Sequence, residues 1–368
     1  MKSDRKARRG TGPGTSRPGG EDSRPAAGSR RPGGDAFDVL DHQLIHALQI
    51  DGRAPFSRIA DVLGVSDQTV ARRYTRHRTS GAIKVLGLTD ARALGEVEWL
   101  VRVQCAPDAA VPVAEAIARR PDTAWVSLMS GGTEIAAVCR AASSEHSDAL
   151  LLQKLPRTPS VVGVTAHCLL HEFYGGPQSL ISKSGALSDA QIARLSPPAP
   201  ATLTAPASSP ATLTDADRRL FAELARDGRT PLAELATVTG WSPTTVRRRL
   251  AELRADGVLY YDVDYDLRLS GYGVMVALWL SVAPAELAAT GAALASHPEV
   301  AFACATTGPK NLFASVLCKD VGALYTYLTT RVAALPGVAT MESAPRIRHI
   351  KGAGPLVVTS SPGARYGR

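Results

Sequence analysis

Apolar positions along the chain change period several times, and they do so twice in the same order. Leu40, Leu44, Ile45 and Leu48 fall on one face of a helix that stops at Asp51-Gly52, and Phe56, Ile59, Ala60 and Leu63 line a second helix beginning near Pro55. Gly64-Val65-Ser66 follows, with glycine for a tight turn and Ser66 as the N-cap of a third helix ending at Gly81. Two helices joined by a short glycine-containing turn form a helix-turn-helix pattern. Beyond it strand and helix alternate: strand 98–105, helix 109–119, strands 123–130 and 134–140, helix 144–155 and strand 161–171. The second half gives strand 273–282, helix 284–296, strands 300–306 and 312–318, helix 321–335 and strand 338–347. The order βαββαβ is that of a ferredoxin-like sandwich, four antiparallel strands with two helices on one face. The expected fold class is α+β, in two tandem units.

The halves are copies. Shifting the sequence by 176 positions without a gap superimposes Asp41 on Asp217, Leu44 on Leu220, Asp51-Gly52-Arg53 on Asp227-Gly228-Arg229, Gly64 on Gly240, Ser66 on Ser242, Arg72-Arg73 on Arg248-Arg249 and Arg78 on Arg254. Between the copies, Pro197, Pro198, Pro200, Pro206 and Pro210 stand among Ala, Ser and Thr, a composition expected of an extended linker with a short helix near 187–195. The expected organisation is a disordered basic tail at 1–35, helix-turn-helix domains at 36–90 and 212–266, βαββαβ domains at 91–175 and 267–352, a linker at 176–211 and a flexible end at 353–368.

Charge modifies this picture by its location. The 368 residues carry a formal net charge of +8, yet the first 34 hold nine basic groups against three acidic ones in a Gly-, Pro- and Ser-rich segment that buries no core. The basic character of the whole chain is thus a poor argument for nucleic-acid binding. In the ordered remainder, positive charge concentrates on the third helix of each copy. Five widely spaced cysteines without a CxxC pair argue against a disulfide framework or thiolate zinc site, and no apolar run reaches the eighteen or so residues of a membrane span. A cytoplasmic protein without membrane partners is expected.

The third helices carry the candidate chemistry. The first holds Arg72, Arg73, Arg76 and Arg78; the second holds Arg247, Arg248, Arg249 and Arg254. A helix in the major groove meets base edges with its N-terminal residues and phosphates with basic residues further along. Ser66, Asp67, Gln68 and Thr69, with Ser242, Thr244 and Thr245, are accordingly expected at the bases, and Arg72, Arg73, Arg76, Arg247, Arg248 and Arg249 at the phosphates of double-stranded DNA. Gln68 suits bidentate bonding to adenine, whereas Asp67 either accepts from cytosine or reinforces its helix N-terminus. Val70, Val246, Leu250 and Leu253 should face the core, with Trp241 as a core plug.

A second constellation lies at the corners between the second and third strands of each βαββαβ unit. Ser130, Gly131, Gly132 and Glu134 in one copy, and Thr307, Gly308 and Asn311 in the other, combine glycine-freed amides with hydroxyls and a carboxylate or amide. Such a corner suits the two charged ends of an amino acid, or is simply a hairpin turn. No catalytic set emerges: His167 and His171 are four residues apart on an expected strand, too far for shared metal ligation, and no Walker loop, GxSxG or HExxH occurs. No cofactor and no enzymatic activity are expected.

The series Leu40-Asp41, Asp51-Gly52-Arg53, Leu63-Gly64-Val65-Ser66, Arg72-Arg73 and Gly81-Ala82-Ile83, followed by βαββαβ, resembles the Lrp/AsnC (feast/famine) transcriptional regulators. The second copy matches through Leu213-Thr214-Asp215-Ala216-Asp217, Asp227-Gly228-Arg229 and Gly257-Val258-Leu259. The resemblance implies a winged helix-turn-helix reading DNA and a βαββαβ domain serving effector binding and homo-oligomerisation, with amino acids as common effectors. Typical members are single units whose dimers read palindromes; a fused pair implies pairing of the two units within one chain and an asymmetric operator, because Asp67-Gln68-Thr69 differs from Pro243-Thr244-Thr245. Half-sites are then expected about one helical turn, roughly 34 Å, or a multiple of it apart. The same architecture occurs as fused pairs in siroheme decarboxylases, which leaves an enzyme as one alternative; an amino-acid sensor acting through protein partners is the other.

Overall fold

The computed structural model describes residues 36–141, 160–196 and 210–356. The expected tail at 1–35, the helix at 144–155, the proline-rich stretch 197–209 and the chain end beyond 356 lie outside them.

Each half starts with three helices: α1 (Val39–Ile50), α2 (Phe56–Leu63) and α3 (Asp67–Ser80) in the first. Asp38 and Asp41 form a reciprocal capping box that starts α1, and Gly64, at φ +69°, ends α2 in the left-handed region that makes the turn. Their counterparts α6 (Asp215–Leu224), α7 (Leu232–Thr239) and α8 (Pro243–Ala255) follow α5 (Asp189–Leu195) and use Thr214–Asp217 as capping box and Gly240 as turn. Val70, Val246, Leu250 and Leu253 are buried and Trp241 packs against the same core, as their periodicity predicts.

The strand after each third helix does not form a wing with a neighbour in its own unit. β1 (Ile83–Thr89) pairs antiparallel with β6 (Leu259–Tyr265), 176 residues away, from Ile83↔Tyr265 to Thr89↔Leu259. The two helix-turn-helix units consequently share one ribbon and one hydrophobic core.

The remaining described strands close into a barrel of order β10-β3-β4-β2-β5-β8-β9-β7. The first half supplies β2 (Val97–Cys105), β3 (Thr123–Met129), β4 (Glu134–Ala141) and β5 (Val161–Tyr174), with α4 (Ala110–Ala118) outside. The second supplies β7 (Val274–Val282), β8 (Val300–Thr306), β9 (Leu312–Cys318) and β10 (Val338–His349), with α9 (Leu287–Ala295) and α10 (Val321–Tyr327) outside. Each half has the ferredoxin-like order, with its last strand beside its first, and the two sheets join where β5 meets β8 and β10 meets β3. Val276, Leu278 and Leu280 of β7 point to the helices, while Ala277 and Trp279 point into the barrel. A strand covered on both faces reads as an unbroken apolar run, which is why β7 shows little alternation.

Residues 176–196 differ from the expected linker: Leu180, Ile181, Leu187 and Leu195 are buried, the last three in the helix-turn-helix core. Gln191 Nε2 donates to the Val62 carbonyl, Arg58 donates to the Arg194 carbonyl, and Lys183 Nζ donates to the carbonyls of Ala295, His297 and Val300, from the end of α9 to the start of β8. The segment is a strut between the first helix-turn-helix and the second βαββαβ unit. Residues 353–356, expected within the flexible end, are described, and Leu356 packs against the core beneath α4.

Candidate nucleic-acid interface and effector corners

Ser66 and Ser242 cap α3 and α8 by accepting from the amides of Thr69 and Thr245 at 3.2 and 3.1 Å, and each serine hydroxyl also meets its threonine hydroxyl at 2.9 Å. Both helix starts are thereby fixed, with Asp67, Gln68 and Thr244 exposed beside them. Asp67 Oδ1 accepts from the Gln68 amide at 2.7 Å, which assigns Asp67 to its own helix start.

The arginines divide into two groups by what they touch. Arg73 donates to Asp38 at 2.7 Å and to Asp41 at 2.8 Å; Arg249 donates to Asp217 at 2.8 and 3.1 Å. Both pairs occupy equivalent positions and bind the third helix to the N-terminus of the first. Burial would raise the pKa of Asp41, but bonds from Arg73, His77 and the Asp38 amide outweigh it and hold the carboxyl below its ordinary value. Asp217 is lowered by the same contest, with Arg249 and Thr214 as its partners. Arg73 and Arg249, expected at phosphates, are therefore committed inside their units.

Arg72, Arg76, Arg247 and Arg248 are exposed. Gln68, Arg72 and Arg76 recur at four-residue intervals along one outward stripe of α3. The equivalent stripe of α8 is Thr244, Arg248 and Glu252, and Glu252 lies 3.6 Å from Arg248 and 3.3 Å from Arg249. The two outward faces thus differ in charge as well as in the polar group at their N-terminal end, Gln68 against Thr244. Arg76 also reaches Asp41 at 3.4 Å, whereas Arg72 and Arg247 make no salt bridge among the described residues.

The two corners also differ. In the first, Ser130 has φ +51°, and its hydroxyl donates to Glu134 at 3.1 Å; Glu134 in turn holds Arg102, whose guanidinium also meets Glu342 and lies 4.8 Å from the Trp279 ring. Burial would lower the Arg102 pKa, but the two carboxylates raise it and keep the group charged within the barrel. Gly131 and Gly132 face open space. In the second, Thr307 accepts from the Cys168 amide at 2.9 Å through its hydroxyl and from His167 Nδ1 at 2.8 Å through its carbonyl. Asn311 exchanges two 2.9 Å bonds with the Val282 backbone, and a side chain at Gly308 would strike His167. Thr307, Gly308 and Asn311 therefore close a strand junction, and the first corner is the open one.

Two regions, 37–76 and 213–254, match the AsnC-type helix-turn-helix domain, and residues 275–356 match the Lrp/AsnC ligand binding domain. The chain is 26% identical over 127 residues to the HTH-type transcriptional regulator FL11 of Pyrococcus horikoshii, covering 34% of this chain and 83% of the relative. It is 29% identical over 129 residues to the regulatory protein AsnC of Haemophilus influenzae, covering 34% and 86%. The crystal structure of the siroheme decarboxylase NirDL has a TM-score of 0.57 over 88% of this chain and 95% of its own at 14% identity, a likeness of fold.

Proposed function

The chain belongs to the Lrp/AsnC family in a tandem-duplicated form, a transcriptional regulator with paired helix-turn-helix units and a ligand-binding domain, and on that premise we propose that it reads an asymmetric DNA site under control of one small effector. The observation that carries the proposal is the difference between the outward stripes of α3 and α8, Gln68-Arg72-Arg76 against Thr244-Arg248-Glu252, on units joined by one ribbon. Gln68 offers a donor and an acceptor to adenine, and Arg72 and Arg76 follow at phosphate positions. Thr244 and Thr245, followed by Arg247 and Arg248, read the other half with weaker base discrimination. The basic stretch at 1–35 adds sequence-independent phosphate contacts.

The open first corner, with Ser130, Gly131, Gly132 and Glu134, is the effector site on this reading, and an amino acid is the class its groups suit. Further chains associate through the βαββαβ units. Selection of bound DNA from a random library by the intact chain tests the proposal: a two-part site with unlike halves supports it, and failure to enrich any sequence contradicts it.

A second reading rests on the shared fused fold and on Arg346, Arg348 and His349, which stand together on β10 where it pairs with β3. A NirDL structure holds an iron-uroporphyrin III analogue, and a tetrapyrrole-binding enzyme would need cationic and imidazole groups of this sort. Titration with iron uroporphyrin separates the readings: saturable change in the visible spectrum favours the enzyme, and an unchanged spectrum favours the regulator.

A further inference from the structure

The repeated Asp-Gly-Arg triplets have no place in base reading, yet they are among the most regular identities between the halves. Their side chains cross the seam between the two helix-turn-helix units. Arg53 donates to the carbonyls of Gly228 and Thr230 at 2.8 and 2.9 Å, and Arg229 returns the contact to Gly52 and Ala54 at 2.6 and 3.1 Å. Each guanidinium fork thus holds the other copy's triplet by two backbone oxygens, a geometry that Lys would not reproduce.

The aspartates complete the exchange. Asp51 and Asp227 each accept from the amide of the arginine two residues on, and each also takes an arginine from the last turns of the opposite reading helix. Arg78 of α3 lies 2.7 Å from Asp227, and Arg254 of α8 lies 3.3 Å from Asp51. The glycines permit the approach: a Cβ at Gly52 would lie 2.7 Å from Tyr261, and one at Gly228 would lie 2.9 Å from the Leu86 backbone. The arginine–carbonyl, aspartate–amide and arginine–aspartate bonds each have a counterpart 176 positions away, so the clamp grips both reading helices at the same end.

We propose that Asp51-Gly52-Arg53 and Asp227-Gly228-Arg229, with Arg78 and Arg254, are positioning residues that fix the separation and rotation of α3 relative to α8 and so select one half-site spacing. Arg78 and Arg254 act through the opposite triplet rather than on DNA. The inference rests on the reading of α3 and α8 as DNA-reading helices. Its consequence is narrow: the clamp governs spacing, not the preferred bases within either half.

The test uses the intact chain and the DNA it selects from a random library. The two halves of that site are then moved apart or together by about five base pairs, half a helical turn. Wild type should lose roughly tenfold or more in affinity, because one set of base contacts is forfeited. Arg78→Asp should reduce that discrimination to within about threefold while leaving base preference within each half unchanged, and Arg78→Asp with Asp227→Arg should restore it. Arg53→Lys should behave like Arg78→Asp, since one ammonium cannot hold both carbonyls. Discrimination that survives Arg78→Asp and Arg53→Lys in folded protein, or that the paired swap fails to restore, overturns the clamp while leaving DNA reading intact. A wild-type chain that enriches no DNA overturns the underlying reading instead.

Discussion

Arg72 and Arg73 are neighbours in sequence with opposite duties, and they give the sharpest test at the residue scale. Arg73→Ala leaves Asp41, 1% exposed, without its main cation and should cost roughly 2–4 kcal/mol, read as a lower Tm. Arg72→Ala should change stability by less than about 0.5 kcal/mol but reduce the salt dependence of DNA binding by roughly one counterion. Equal effects of the two substitutions on both measurements would contradict the division. Because Asp41 and Asp217 have lowered values in the fold, their contribution is present at neutral pH and is lost as pH falls through those values, so acid should unfold this core first. The sequence identified the arginine-rich helices, but what holds Arg73 and Arg249 inside their units is a carboxylate more than thirty positions away, Asp41 for the one and Asp217 for the other. A helical wheel sets Arg73, three residues from Val70, at the edge of the buried face and Arg72 opposite it, but it does not reveal the carboxylates that hold Arg73.

Two elements escaped the periodicity for different reasons. Ile83, Val85, Leu86 and Leu88, and Leu259, Tyr261 and Val263, are short apolar stretches whose partner lies in the other half of the chain, so no local hairpin marks them. Within this ribbon Asp262 is half-buried, with Asp264 on the same strand, and its pKa is pushed up to about 6 by desolvation first and that neighbour second. A raised carboxyl binds its proton more tightly folded than unfolded, so stability should fall as pH rises from about 4 to about 6. Asp262→Asn should therefore stabilise the protein at pH 7 by on the order of 2 kcal/mol and leave it nearly unchanged at pH 4. Denaturant titrations at the two pH values check this; equal effects at both would contradict it. The strut at 176–196 was hidden by the composition of the stretch that follows it. Its tie to α9 is Lys183, and Lys183→Met should free three carbonyls, costing about 2 kcal/mol, with faster amide exchange in α5 and little change in α7.

At the scale of the molecule, duplication was plainly legible and its consequence was not. Identities at a fixed offset announce two copies, but they do not say whether copies pair within a chain or between chains. The barrel junctions β5–β8 and β10–β3, the β1–β6 ribbon and the arginine exchange across it all join the first half to the second. Inside that near-symmetric frame the surfaces have diverged: Arg76 faces outward where Glu252 stands in the other copy, and an open corner at Ser130 matches a closed one at Thr307. One chain should consequently occupy both halves of its site, with each half answering to a different helix. The direct measurement is a footprint of the intact chain on its selected DNA, repeated with Gln68→Ala and with Thr244→Ala. The account predicts an asymmetric footprint in which Gln68→Ala relaxes base preference in one half and Thr244→Ala in the other; a palindromic footprint in which either substitution alters both halves alike would contradict it.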